Sequence, residues 1–332
     1  MFLSLLLLLL VTDPKQVALL VQQGLRALQQ GQLTQAQEAL EQASKLDPNN
    51  AYAWASLAET YLRLKHPQQA SAAAQTAEKV GSENPVVSHA LAIFYTESGD
   101  PARAFALAQA AEKQQPSPTN QHLLAQTAFD YAQVLLRHQD FTHAADVVST
   151  AMQADPRNAQ LTLALGVARY GQRRFEDSVI AFLTVIQIDP SIEQPYLFLG
   201  RMLDQAGPHL GEITALYETW ASKNPQNAKA QLLLAKALLA NDGHNQRAEG
   251  LLRRSTALNP NDWEAHYELG VLLANKHQYQ PSAAELTRSI ELDPKQSMPH
   301  YHLARVYDRL GQPERAKAER EAHERLTAPS PR

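Results

Sequence analysis

The sequence predicts an all-α solenoid, a stack of about nine helix–turn–helix repeats. Three observations carry this expectation. Prolines recur at close to 34 residues, each period holds two helical stretches, and small residues return at two fixed places in every period. Glycine is also scarce, at 13 in 332 residues. Gly costs about 1 kcal/mol against Ala inside a helix, so its scarcity favours helix throughout.

Pro48, Pro85, Pro116, Pro156, Pro190, Pro225, Pro260 and Pro294 lie 37, 31, 40, 34, 35, 35 and 34 residues apart. Asp or Asn precedes most of them: Asp47, Asn84, Asp155, Asp189, Asn224, Asn259 and Asp293. The residue before Pro is driven out of the helical region, so each pair is expected to end a helix. Asn50, Asn158, Asn227 and Asp262 stand two residues after a proline. They are expected to cap the next helix by accepting its free N–H groups.

With the terminal proline set at position 32, position 8 holds only Gly or Ala: Gly24, Ala58, Ala92, Ala132, Gly166, Gly200, Ala235, Gly270 and Ala304. Position 20 is small as well: Ala36, Ala70, Ala104, Ala144, Ser178, Ala248, Ser282 and Ala316. Position 7 is mostly Leu, and position 24 is large at Leu40, Val148, Phe182, Tyr217, Leu252 and Leu286. Small positions let two helices cross closely, and large ones fill the space beside them.

Together with Trp54 at position 4 and Tyr61, Tyr95 and Tyr307 at position 11, these residues resemble the tetratricopeptide repeat. The resemblance covers about Val17 to Arg325. It implies a right-handed superhelix whose concave groove is lined by the first helix of each repeat. Three departures are expected to fall in loops: about six extra residues near Ser117 to His122, and single ones near Gly207 to Gly211 and Asn241 to Asn245. The second helix of the last repeat, Pro313 to Arg325, is highly charged. Arg320 and His323 stand there in place of apolar residues, as a solvent-facing end cap requires.

The chain divides into an apolar segment over residues 1–12, a solenoid over 13–326 and a short disordered tail over 327–332. Phe2 to Val11 is apolar except for Ser4. It is too short to cross a bilayer but has the length of a secretory signal core. No Lys or Arg precedes it, and no small-x-small cleavage site follows. Two readings stand: an export signal, or a cover over the first repeat, whose groove positions Ala18, Val21, Leu25 and Leu28 are apolar. Localisation is accordingly open between the cytoplasm and an exported, periplasmic or secreted, state.

In the family that the chain resembles, ligands lie along positions 2, 5, 9 and 12 of the first helices. Those positions include Phe129, Arg201, Lys236, Tyr267, Tyr301 and Arg305. They are the candidate partner-binding residues, and repeats six to nine are expected to hold an extended or helical peptide of acidic character. The carboxylate clamp by which some members hold chaperone C-termini is not matched, because Val21, Leu25 and Ser56 occupy its positions.

The net charge of −4 supplies no strong positive field for nucleic acid. The absence of Cys excludes disulfides, thiolate metal sites and cysteine nucleophiles. No HExxH motif or glycine-rich phosphate loop occurs, and His300 and His302 are two apart on one helix, so they point away from each other. No catalytic residue, cofactor, metal or small-molecule substrate is expected. The expected function is a protein–protein interaction scaffold or adaptor that binds a partner peptide or protein segment in the groove. Alternatives are an exported cell-envelope assembly or secretion factor using the same surface, and a regulatory arm of an enzyme complex. Self-association through the repeat ends is also open.

Overall fold

The computed structural model describes residues 13–81 and 83–328. The segment Phe2 to Val11 therefore lies outside the described residues, as do the last four residues. Eighteen α-helices and two short 3₁₀ turns make up the regular structure of the described residues. The chain falls into two compact units, one ending at Arg174 and one beginning at Phe175.

The first unit contains α1 (Pro14–Gln29), α2 (Leu33–Leu46), α3 (Ala51–Arg63), α4 (Pro67–Gly81), α5 (Pro85–Ser98), α6 (Pro101–Gln114), α7 (Pro118–Arg137), α8 (Phe141–Met152) and α9 (Ala159–Gly171). The second contains α10 (Phe175–Ile188), α11 (Gln194–Arg201), α12 (Leu210–Lys223), α13 (Ala228–Asn241), α14 (Gln246–Leu258), α15 (Trp263–Asn275), α16 (Tyr279–Leu292), α17 (Ser297–Arg309) and α18 (Pro313–Thr327). Within each unit consecutive helices pack as hairpins and each hairpin packs on the next, except that α11 and α12 approach each other much less closely than the other pairs.

The small-and-large code is realised in the cores. All six large position-24 residues, Leu40, Val148, Phe182, Tyr217, Leu252 and Leu286, are fully buried. A Cβ added at Gly24 would stand 2.5 Å from Leu40 Cγ, and one at Gly270 would stand 2.7 Å from Leu286 Cγ. Any larger residue at those crossings would collide with its partner helix. The four expected caps all form: Asn50 accepts from Ala53 N–H, Asn158 from Gln160 and Leu161, Asn227 from Ala230, and Asp262 from Glu264. Position 4 adds a latch, where Trp54 Nε1 donates to Pro48 O at 2.9 Å and Tyr196 hydroxyl donates to Pro190 O at 3.2 Å.

Seven of the turns within the hairpins share one geometry. Gly31, Lys65, Gly99, Gln139, Arg173, His277 and Gly311 all have positive φ, between 60 and 84°. The following N–H reaches back five residues in each case, as from Gln32 to Ala27 and from Asp140 to Leu135, at 2.8–2.9 Å. This is the Schellman arrangement, which closes the open carbonyls at a helix end.

Several expectations need correction. Asn84-Pro85 opens a helix, because Asn84 caps α5 and Pro85 is its first residue, where the missing N–H is no loss. The extra residues near Ser117 do not form a loop but lengthen α7 to 20 residues. Asn120 fixes that added turn by donating to Gln115 O at 2.8 Å and meeting His89 Nδ1 at 2.7 Å. In the first repeat Val21 and Leu28 are buried, Leu25 is half-buried and Ala18 is exposed.

Candidate functional site

The first helices of the last three hairpins, α13, α15 and α17, bring most of the candidate residues onto one stretch of the second unit. Lys229 and Lys236 lie seven residues apart on α13, two helical turns, and so share a face. Glu264 and Glu268 share the facing side of α15. Lys236 Nζ meets Glu264 Oε1 at 2.5 Å and Glu268 Oε1 at 3.7 Å. Lys229 Nζ meets Glu264 Oε2 at 3.1 Å and the capping carboxylate of Asp262 at 2.9 Å.

Electrostatics inside this cluster are uneven. Burial pushes the Glu264 carboxyl up, but Lys236 and Lys229 more than reverse it and hold it below the usual range. Burial pushes Glu268 up too, and there it prevails, since Lys236 acts against it while Glu264 and Asp204 add to it. The Lys236 ammonium is therefore already engaged by two carboxylates of this chain, and is not a free cation for a ligand.

A row of rings runs beside the cluster. The Tyr267 and His302 centroids are 5.6 Å apart at 68°, and those of His302 and Tyr301 are 5.2 Å apart at 87°. His323 on α18 adds a fourth ring, 5.5 Å from Tyr301. Arg305 lies over Tyr301, 5.6 Å from its centroid, which is cation–π range. Burial pushes the Tyr267 hydroxyl up to about 12, and burial with Arg305 behind it pushes His302 down, favouring a neutral imidazole. Tyr301 is 39% exposed, so the row opens to solvent at that ring.

Arg201 sits exposed on the last turn of α11. Neither Arg201 nor Arg305 has a carboxylate partner among the described residues. Phe129 is half-buried on α7 in the first unit, packed against that unit's core. The structure thus joins Lys236, Tyr267, Tyr301 and Arg305 through shared neighbours. Reading positions 5 and 9 of the later repeats had passed over Lys229, Glu264, Glu268 and His302, which stand at positions 2 and 6. The available signal was charge spacing: Lys229 and Glu264 hold the same position in successive repeats, 35 residues apart.

Among the described residues no group of three His, Asp or Glu side chains is placed to hold a metal ion, and no helix is long and apolar enough to cross a membrane.

Family models of the tetratricopeptide repeat match residues 27–81, 129–191, 232–297 and 285–318. Together these spans cover more than half of the chain. No curated protein matches it. Among solved structures, yeast Tom70 is similar over 95% of this chain and 86% of its own, at 12% identity and a TM-score of 0.48. A thermophilic TPR protein of Thermus thermophilus is similar over 51% of this chain and 92% of its own, at 18% identity and 0.45. MamA of Desulfovibrio magneticus is similar over 52% and 96%, at 18% identity and 0.44. With the repeat spacing, the small and large positions, the turn geometry and these family matches in agreement, the chain belongs to the tetratricopeptide repeat family, whose stacked hairpins are protein–protein interaction scaffolds.

Proposed function

We propose that this protein is a non-catalytic adaptor that holds an extended or helical segment of a partner protein against α11, α13, α15 and α17. The observation that carries the reading is the open row of Tyr267, His302 and Tyr301 with Arg305 on its outer ring. Rigid aromatic rings offer contact area at little entropic cost, and Tyr and Arg are frequent interface anchors. Arg305 and Arg201, which lack carboxylate partners, favour a segment with acidic side chains. The Lys236 cluster holds α13 to α15 and keeps that surface in register.

The test is affinity capture from native lysate with tagged protein beside the variant Tyr301→Ala/Arg305→Glu. Both substituted residues are exposed, so the variant keeps its fold. A partner retained by the parent and lost by the variant supports the reading. Equal retention overturns it.

A further inference from the structure

The sixth hairpin departs from most of the others at two core positions of its second helix, 20 and 27, and carries a bulky Tyr at the large position 24 between them. Position 20, small elsewhere, is Ile213. Position 24 is Tyr217. Position 27 is Trp220, where other repeats place Ala43, Ala77, Ala111, Ala151, Val185, Ser255, Ser289 or His323. All three side chains are buried on α12. Tyr217 hydroxyl spans to α11, donating to Tyr196 O at 2.6 Å, and the Tyr196 and Trp220 rings stack at 4.5 Å. The bulk holds α11 and α12 apart, so the close backbone approach of the other hairpins in this unit is nearly lost. Helix α11 stops at Arg201 and gives way to 3₁₀ turns over Leu203–Gln205 and Gly207–His209.

Beside the enlarged α12 lies a groove of about 820 Å³ between α10 and α12. Its α10 wall is Leu183 and Ile186, its α12 wall Ala215, Leu216 and Trp220, and Tyr196 forms the floor. These are second-helix residues, so the groove is separate from the Tyr301–Arg305 row. It is unlike the cavity along α16 and α18, about 490 Å³, which is lined by Gln280, Thr287, Arg288, Glu291, Gln312 and Arg315. The apolar walls come from α10 of the fifth repeat and α12 of the sixth.

Three features describe what would fill it. The lining runs along α12 from Glu212 to Lys223, eleven residue steps or about 16 Å of helix. The length and open walls suit a short helix better than a compact small molecule. Lys223, at one end, has no ion-pair partner among the described residues; Glu193, whose Oε1 accepts from Asn227 Nδ2 at 3.4 Å, also lines the groove, and Glu212, at the other end, lies 3.4 Å from His209 Nδ1. Among the described residues Trp220 Nε1–H meets no acceptor, and it is not sealed from solvent.

We propose that this groove docks a three-turn amphipathic helix of a partner protein. The helix lays an apolar stripe between α10 and α12, with an acidic residue toward Lys223 and a basic one toward Glu212. Apolar residues at i, i+3, i+4 and i+7 are what such a groove reads. The opposite charges at its ends set the direction of the bound helix.

The experiment is selection of displayed random peptides of about twelve residues on the full chain, followed by binding measurements on Leu216→Arg. Leu216 is half-exposed, and circular dichroism confirms that the variant folds; Ala215→Arg, at an exposed position, replaces it should it unfold. The expected result is enrichment of helical-period apolar peptides with unlike charges at their ends. Their affinity falls at least about tenfold on Leu216→Arg. It also falls on Lys223→Glu, and is restored when the peptide's acidic end is changed to Lys. The inference is overturned by no enrichment, by affinity unchanged in Leu216→Arg, or by a groove that takes up octanoate while selecting no peptide, which would make it a small-molecule cavity.

Discussion

Replacing Lys236 with Met removes the one cation that touches both Glu264 and Glu268. The Met side chain fills most of the same space, so the change is chiefly electrostatic. Lys236, Glu264 and Glu268 keep only 17%, 24% and 22% of their side-chain surface. Breaking a fully buried pair costs about 3–5 kcal/mol. The residual exposure here, and the Lys229 contact that Glu264 retains, reduce this to about 2–3 kcal/mol at neutral pH. At about 2–4 °C per kcal/mol the melting temperature falls by about 5–10 °C. Urea unfolding at pH 7 and pH 5 measures both the cost and its origin. Without Lys236 the two carboxylates bind protons more readily, so the gap between parent and variant narrows on acidification. The double variant Lys236→Met/Glu268→Gln recovers part of the loss, because it removes the excess negative charge. A cost below about 0.5 kcal/mol, or one independent of pH, would mean that solvent screens this cluster like an ordinary surface ion pair.

Three further outcomes follow from the same structure. Gln139→Gly should stabilise the first unit by about 1 kcal/mol in a urea melt, since Gln139 holds φ of 60°, where a side chain is strained and Gly is not. Gly270→Val should destabilise the second unit by about 1–3 kcal/mol, because the added Cβ meets both the Leu286 side chain and its backbone N, at 3.2 Å, which cannot move aside. Glu264→Gln should lose stability at neutral pH. A carboxyl held below its ordinary 4.5 gives stability that is present above that value and lost as pH falls through the lowered one, so parent and variant should converge in acid; parallel pH profiles would contradict the assignment.

The repeat was legible because its code is local. Proline spacing, Asx caps and the small and large core positions each act within one hairpin, and a sequence displays them directly. The turn geometry was less legible, since Lys65, Gln139, Arg173 and His277 adopt positive φ without the Gly that would announce it. There the hydrogen bond back across the turn outweighs the backbone strain. The lengthened α7 departs from the expected loop because Ser117 caps the added turn, Pro118 opens it and the Asn120 side chain ties it to Gln115 and His89. Of the candidate site, Tyr267, Tyr301 and Arg305 were named from repeat position alone, and the structure links them through His302 and the Arg305–Tyr301 contact. The engagement of Lys236 was not, because it depends on which residues of the next repeat lie opposite. The widened sixth hairpin was written in Ile213, Tyr217 and Trp220, but its consequence depends on how neighbouring helices accommodate them.

The most direct measurement is quantitative capture of partners by the parent protein and by three variants: Tyr301→Ala/Arg305→Glu on the first-helix row, Leu216→Arg in the α10–α12 groove, and Gln139→Gly in the first unit as a folded control. Loss of a partner in the first variant, with its retention in the Gln139→Gly protein, is the predicted result for an adaptor that grips through the ring row. Retention of every partner by the Tyr301→Ala/Arg305→Glu variant would contradict it.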